Sequence, residues 1–238
     1  MPQDISGYDV GALLYCPANA HHTVAQAVTA ERLPRPFSLA LCLEDTVRAD
    51  ALAAAEQAVE QTLHDLTDAA RQETFYRPLT FVRVRSPEQL ARLGRAYGKY
   101  RPLLTGFILP KFFIETCGAY CAVIRDLQAD GLDYFYMPVF EAPSMLPLHT
   151  RHAALAEVKA QLDALRECIL NIRVGGNDLC HVFGLRRDPG HTIYDLRPVA
   201  DVLTDLLTTF APDYLVAGPV WEYYDGPGWA EGLPRECA

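Results

Sequence analysis

Seven near-continuous apolar runs punctuate this chain, each separated from the next by polar, helix-forming sequence. They span 11–17, 38–45, 79–85, 106–111, 134–141, 168–176 and 213–222. A strand that is apolar on both faces must be covered on both, which is the condition of a parallel sheet wrapped by helices. The intervening stretches fit that role. Residues 50–71 are rich in Ala, Leu, Glu and Gln, and residues 152–167 also read as a helix. Ser86-Pro87-Glu88-Gln89 is a helix start, with Ser as cap and Pro in the first position. Seven such units with no Gly/Ser linker or repeat predict one domain over residues 1–238. The expected fold is an α/β (β/α)8 TIM barrel with its eighth strand lacking or incomplete; such barrels run to about 250 residues. A doubly wound open sheet is the competing topology.

Composition narrows the partners. No apolar stretch approaches the ~20 residues needed to cross a membrane, and "MPQDISGYDV" lacks the basic start and apolar core of an export signal. A net charge of −9 argues against a nucleic-acid surface. Seven cysteines with no CxxC pair imply reduced thiols in a cytoplasm. Cys117 and Cys121 lie one helical turn apart, but no second Cys/His pair at zinc spacing accompanies them, so they read as small buried hydrophobes.

The apolar runs end on polar residues: Asn19 after the first, Glu44 and Asp45 at the second, Arg83 and Arg85 at the third, Lys111, then Glu141, then Asn177 and Asp178. A buried strand has no use for an unpaired charge. In a parallel barrel all strand C-termini meet at one face, which holds the active site. These side chains are therefore expected to converge. Arg83 and Arg85 are two apart, hence on one side of a strand, and a pair of guanidiniums suits a carboxylate or phosphate. Glu141 and Asp178 are candidate metal ligands; two carboxylates completed by waters and substrate oxygens suit Mg2+ or Mn2+. Gly175 and Gly176 let backbone approach a ligand closely.

The segments "LLYCPANA", "CLEDTV", "FVRVRSP", "GFILPKF", "YMPVFEAP", "ILNIRVGGNDLCHVFGLRRD", "HTIYDLRPVADV" and "LVAGPVWEYYDG" together resemble the citrate lyase β-subunit and HpcH/HpaI-type aldolase family. Within it they are most similar to the branch called C–C bond lyase of the TIM-barrel fold. Members of that branch occur in bacterial tellurite-resistance and stress-response operons, where a biosynthetic role has been proposed. The resemblance implies a Mg2+-dependent carbon–carbon lyase. It implies that Glu141 and Asp178 hold the metal and that Arg83 holds the substrate's carboxylate or oxo group. It implies that Glu44 and Asp45 orient metal-bound water or substrate, and that Lys111 lies in the pocket. Asn19, Arg85, Gly176 and Asn177 complete the expected substrate contacts. Asp45 or His22 is the candidate base for the hydroxyl that becomes a carbonyl.

The chain departs from the family in four places. Cys42 replaces the first Asp of the usual Asp-Leu-Glu-Asp. Arg85 stands where an Asn is common, which suggests a second anionic group such as a phosphate. His21 and His22 stand near the place of an absent arginine. The chain ends at Ala238, before the stretch that forms the eighth strand in relatives, so a barrel open at one seam is expected and a CoA thioester is disfavoured. Arg186 and Arg187 are candidate anion clamps at the rim or a solvated basic turn.

Two functions remain open on these grounds. One is a lyase or aldolase acting on an oxo or hydroxy acid in a biosynthetic stress response. The other is a weakly catalytic barrel serving as a scaffold subunit. Either would work as a homo-oligomer or as part of a complex.

Overall fold

The computed structural model describes residues 5–33, 35–45, 47–72, 74–186 and 191–219, without the side chains of residues 20–22. Seven strands form one sheet: β1 Leu13–Pro17, β2 Ser38–Cys42, β3 Thr80–Arg83, β4 Leu104–Leu109, β5 Phe135–Phe140, β6 Ile172–Val174 and β7 Val216–Ala217. The spatial order is the sequence order, β1 to β7, and every neighbouring pair is parallel. A doubly wound sheet reverses its order midway; this one does not, and it is a curled half-barrel of the TIM type.

The helices α1 His21–Thr29, α2 Leu52–Gln72, α3 Pro87–Ala96, α4 Cys117–Ala129, α5 Leu148–Asp163, α6 Gly176–Val182 and α7 Arg197–Phe210 fall between the strands, the last two both between β6 and β7. The Ser86 cap forms as expected: its Oγ accepts a hydrogen bond from the Gln89 amide at 3.3 Å, with Pro87 opening α3. The helix expected over 152–167 starts four residues earlier, at Leu148 directly after Pro147.

Two-sided burial explains the apolar runs. Leu39, Leu41, Val82, Phe107, Tyr136, Phe140 and Ile172 face the helices in the larger core. Ala40, Phe81, Ile108, Met137 and Val139 alternate with them and fill the inside of the curl, together with Val10 and Leu170. A bulge at the start of the β3–β4 pairing passes Gly106 so close to β5 that a Cβ there would lie 1.8 Å from the Phe135 carbonyl oxygen. Only glycine fits.

The described cysteines are free thiols, and Cys117 and Cys121 are buried in α4 among apolar neighbours. Among the described residues no helix is long and apolar enough to cross a membrane. The seventh run contributes only a two-residue strand, and its expected end at 220–222 lies outside the described residues.

Candidate active site

Four successive strand ends deliver charged side chains to one cluster. Arg83 is the last residue of β3, and its guanidinium stands between two carboxylates. Its Nη2 lies 2.9 Å from Glu44 Oε2, which follows β2, and 2.9 Å from Glu141 Oε1, which follows β5. Asp45 Oδ2 is farther, at 3.6 Å. Lys111, after β4, donates from Nζ to Glu44 Oε1 at 2.7 Å. Its backbone amide donates to Glu141 Oε1 at 3.2 Å. Lys111 adopts φ +50°, a left-handed conformation that is costly for a residue with a side chain. That twist directs its amide and its ammonium toward two different carboxylates.

Burial governs the electrostatics. Glu141 is only 2% exposed and Glu44 6%. Burial pushes the Glu141 carboxyl up to about 7; Arg83 opposes this, while the charges of Asp178 and Glu44 add to it. Burial also raises Glu44, reinforced by its hydrogen bond with Asp45 and countered by Arg83 and Lys111. Asp45, half-exposed, is lowered, first by its hydrogen bond with Glu44 and then by the two cations. The site thus holds one carboxylate that ionises easily beside two that resist it. Burial works against the charged form of Arg83, but Glu141 and Glu44 prevail and raise its pKa. The buried Arg83 Nε has no hydrogen-bond partner.

Asp178 sits in the first turn of α6, close enough for its charge to raise Glu141. Gly175 sets that approach, because a Cβ on it would lie 2.1 Å from Glu141 Oε2. Among the described residues no group of three or more His, Cys, Asp or Glu side chains forms a closed metal cage. The donor set is instead two hard carboxylates, one of which, Glu141, lies where burial disfavours its charge. That fits a cation such as Mg2+, which keeps most of its coordination for water and substrate. The sign of the pH dependence follows. In the metal-free protein the raised Glu141 contributes stability that is full below its unfolded value near 4.5 and is lost as pH rises through about 7. A bound cation takes the proton's place. The rise in melting temperature caused by Mg2+ is therefore expected to grow between pH 6 and pH 8, as thermal unfolding across that range would show.

Other expected residues stand differently. Arg85 is bonded to backbone rather than to the carboxylates around Arg83. β3 ends at Arg83, so strand alternation no longer governs residue 85. Its guanidinium turns back to the loop after β2, donating to the Leu43 carbonyl at 2.6 Å, to the Glu44 carbonyl at 3.1 Å and to the Val47 carbonyl. It holds the acidic loop in place. Gly176 is buried, and a Cβ there would meet Ile193 and Pro219, so its smallness serves packing. Asn177 is exposed at the start of α6, and Asn19 is exposed in the turn Ala18–Ala20 after β1. Arg186 is exposed; Arg187 and the His22 side chain lie outside the described residues.

One neighbour was not anticipated. The Tyr15 ring lies 5.9 Å from the Arg83 guanidinium carbon. Tyr15 packs with the cluster inside the curl, and the alternation of β1 was the available signal.

Comparison with known proteins agrees with the fold. No curated protein matches the chain by sequence. Among solved structures, the chain resembles the citrate lyase β-subunit from Mycobacterium tuberculosis, complexed with oxaloacetate and magnesium. The identity is 20%, the match covers 96% of this chain and 86% of that one, and the TM-score is 0.60. CitE from the same organism, in complex with magnesium, acetoacetate and coenzyme A, matches at 20% identity over 94% and 70% of the chains, with TM-score 0.60. RipC from Yersinia pestis matches at 15% identity over 97% and 84%, with TM-score 0.58. At such identities the likeness establishes the fold. The model of the family described as C–C bond lyase of the TIM-barrel fold matches residues 4–238. With nearly the whole chain covered, this protein belongs to the family of carbon–carbon bond lyases of the TIM-barrel fold.

Proposed function

We propose that this lyase is Mg2+-dependent and cleaves or forms a carbon–carbon bond in an oxo or hydroxy acid, with or without a phosphate, in a biosynthetic stress-response step in the cytoplasm. The observation that carries this reading is the convergence of Glu44, Arg83, Lys111 and Glu141 from four strand ends, with the Asp178 charge beside them. Glu141 and Asp178 would hold the metal. When bound, Mg2+ supplies Lewis acidity beside the reacting carbonyl; Mn2+, with similar oxygen preference, would substitute.

The chain's own residues do the rest. Arg83, fixed by two buried carboxylates, offers a preorganised cationic donor where negative charge develops. Glu44 holds Arg83 and Lys111 in register, with Arg85 fixing its loop from behind. Asp45, the acidic and half-exposed member, is placed to accept the proton of a substrate hydroxyl; His22 is the other candidate.

The test is thermal unfolding of the wild type and Asp178→Ala with and without Mg2+, then with oxaloacetate or pyruvate added. A ligand that binds only the native state raises its melting temperature. Mg2+ is expected to stabilise the wild type and not the variant, and an oxo acid to add to the wild-type shift. Absence of any shift in either protein would sink the lyase reading.

A scaffold reading has one observation in its favour. β7 pairs through two residues only, and among the described residues no strand joins it to β1. A scaffold subunit of a homo-oligomer or a larger complex would keep its partner when Asp178 is replaced, whereas a lyase would lose turnover.

A further inference from the structure

Three acidic side chains of the site, Glu44, Asp45 and Glu141, meet two cations, Arg83 and Lys111, and the Asp178 charge acts on Glu141. Both cations are already committed to the carboxylates. An anionic group on the substrate, remote from the reacting carbons, would compete with those carboxylates for them. Arg85, the obvious third cation, is turned to backbone carbonyls.

Arg173 supplies what is missing. It lies in β6 between Ile172 and Val174, which both face the helices. Its register partners are Val139 on β5 and Ala217 on β7. Val139 belongs to the cluster inside the curl, and residues in register across a parallel pair point to the same side. Arg173 therefore faces the interior. Val139 lies two residues before Glu141, and Arg173 two residues before Gly175, the glycine against which Glu141 packs. Arg173 thus lies on the inner wall, one inward-facing position before the level of Glu141 and Gly175. It is half-buried, and among the described residues it takes part in no hydrogen bond or ion pair. A partly desolvated guanidinium without a partner is a receptor for a planar or tetrahedral oxyanion, which its donor fork matches in two bonds.

We propose that Arg173 is the specificity-determining residue that binds an anionic group, a carboxylate or a phosphate, at the end of the substrate remote from the reacting carbons. The assignment deepens the lyase reading and rests on it for the word substrate, but the anion site itself can be tested without metal.

Succinate and inorganic phosphate would be titrated into wild-type protein, Arg173→Met and Arg173→Lys by calorimetry without metal. Mg2+ would then be added, and oxaloacetate compared with pyruvate. Wild type is expected to bind one of the two metal-free anions, and the stronger of them identifies the group. Arg173→Met is expected to bind it at least ten-fold more weakly and to lose the preference for oxaloacetate over pyruvate, with its Mg2+ response retained. Arg173→Lys, which keeps the charge without the fork, should be several-fold weaker than wild type. Equal anion binding by wild type and Arg173→Met overturns the assignment, and so does failure of both anions to bind wild type. Should Arg173→Met not fold, equal binding by Arg173→Lys and wild type overturns it as well. Arg173-dependent anion binding with no Mg2+ response in any of the proteins would keep the anion site and remove the lyase reading.

Discussion

Replacing Arg83 with alanine is expected to lower the melting temperature by about 10 °C at pH 8 and to abolish turnover. Arg83 is the shared partner of Glu44 and Glu141, both almost fully buried. Removing one member of a buried ion pair leaves an uncompensated charge and costs about 3–5 kcal/mol. In a chain of 238 residues each kcal/mol moves the midpoint by roughly 2–4 °C. The loss should depend on pH. Without Arg83 the Glu141 carboxyl is raised further, so the protein regains stability as pH falls and the group takes up its proton. Melting curves at pH 5.5 and pH 8 would separate this from a cavity effect, which would be equal at both. A variant within 3 °C of wild type at pH 8 would show that the two carboxylates do not depend on Arg83.

Glu141→Gln is expected to do the opposite to stability while having the same effect on activity. The amide oxygen can still accept from Arg83 and from the Lys111 amide, and the cost of a buried charge is gone. The metal-free variant should melt at or above the wild-type temperature at pH 8. A neutral amide is a poor ligand for a hard cation, so the Mg2+ shift should vanish and turnover fall by roughly 10³-fold, the scale on which loss of a key electrostatic group is felt. This pattern marks a residue kept for function at the expense of stability. If Glu141→Gln retained the Mg2+ shift, Glu141 would not be a metal ligand.

Much of this was legible in the sequence, for identifiable reasons. Two-sided burial wrote the strands as apolar runs, and the charges at their ends marked the face where Glu44, Arg83, Lys111 and Glu141 meet. The Ser86 cap was readable because it depends on four adjacent residues. What escaped depends on where a strand stops. Alternation placed Arg85 beside Arg83, but β3 ends one residue too soon for alternation to reach it. The Lys111 amide contact needs a left-handed φ that no residue type announces at a lysine. The crowding of Gly176 by Ile193 and Pro219 joins segments distant along the chain, which no local pattern announces. Tyr15 and Arg173 were within reach of the same alternation rule, applied to the interior side of β1 and β6.

Two arginines outside the reacting cluster share a habit. Arg85 grips carbonyls of the loop after β2, and the buried Arg151 grips those of Met145 and Leu146 after β5 while pairing with Asp205 on α7. Carbonyl oxygens are common to every residue, so these clasps recognise the route of the chain and ignore its letters. Apart from the site residues Glu44, Asp45 and Glu141 and the buried Leu43, Val47 and Met145, side chains along both loops can therefore be exchanged without unseating the frame beneath them. For anyone seeking new substrates by directed evolution, the other exposed positions of these loops are the place to randomise, with Glu44, Asp45, Glu141, Arg85 and Arg151 left fixed.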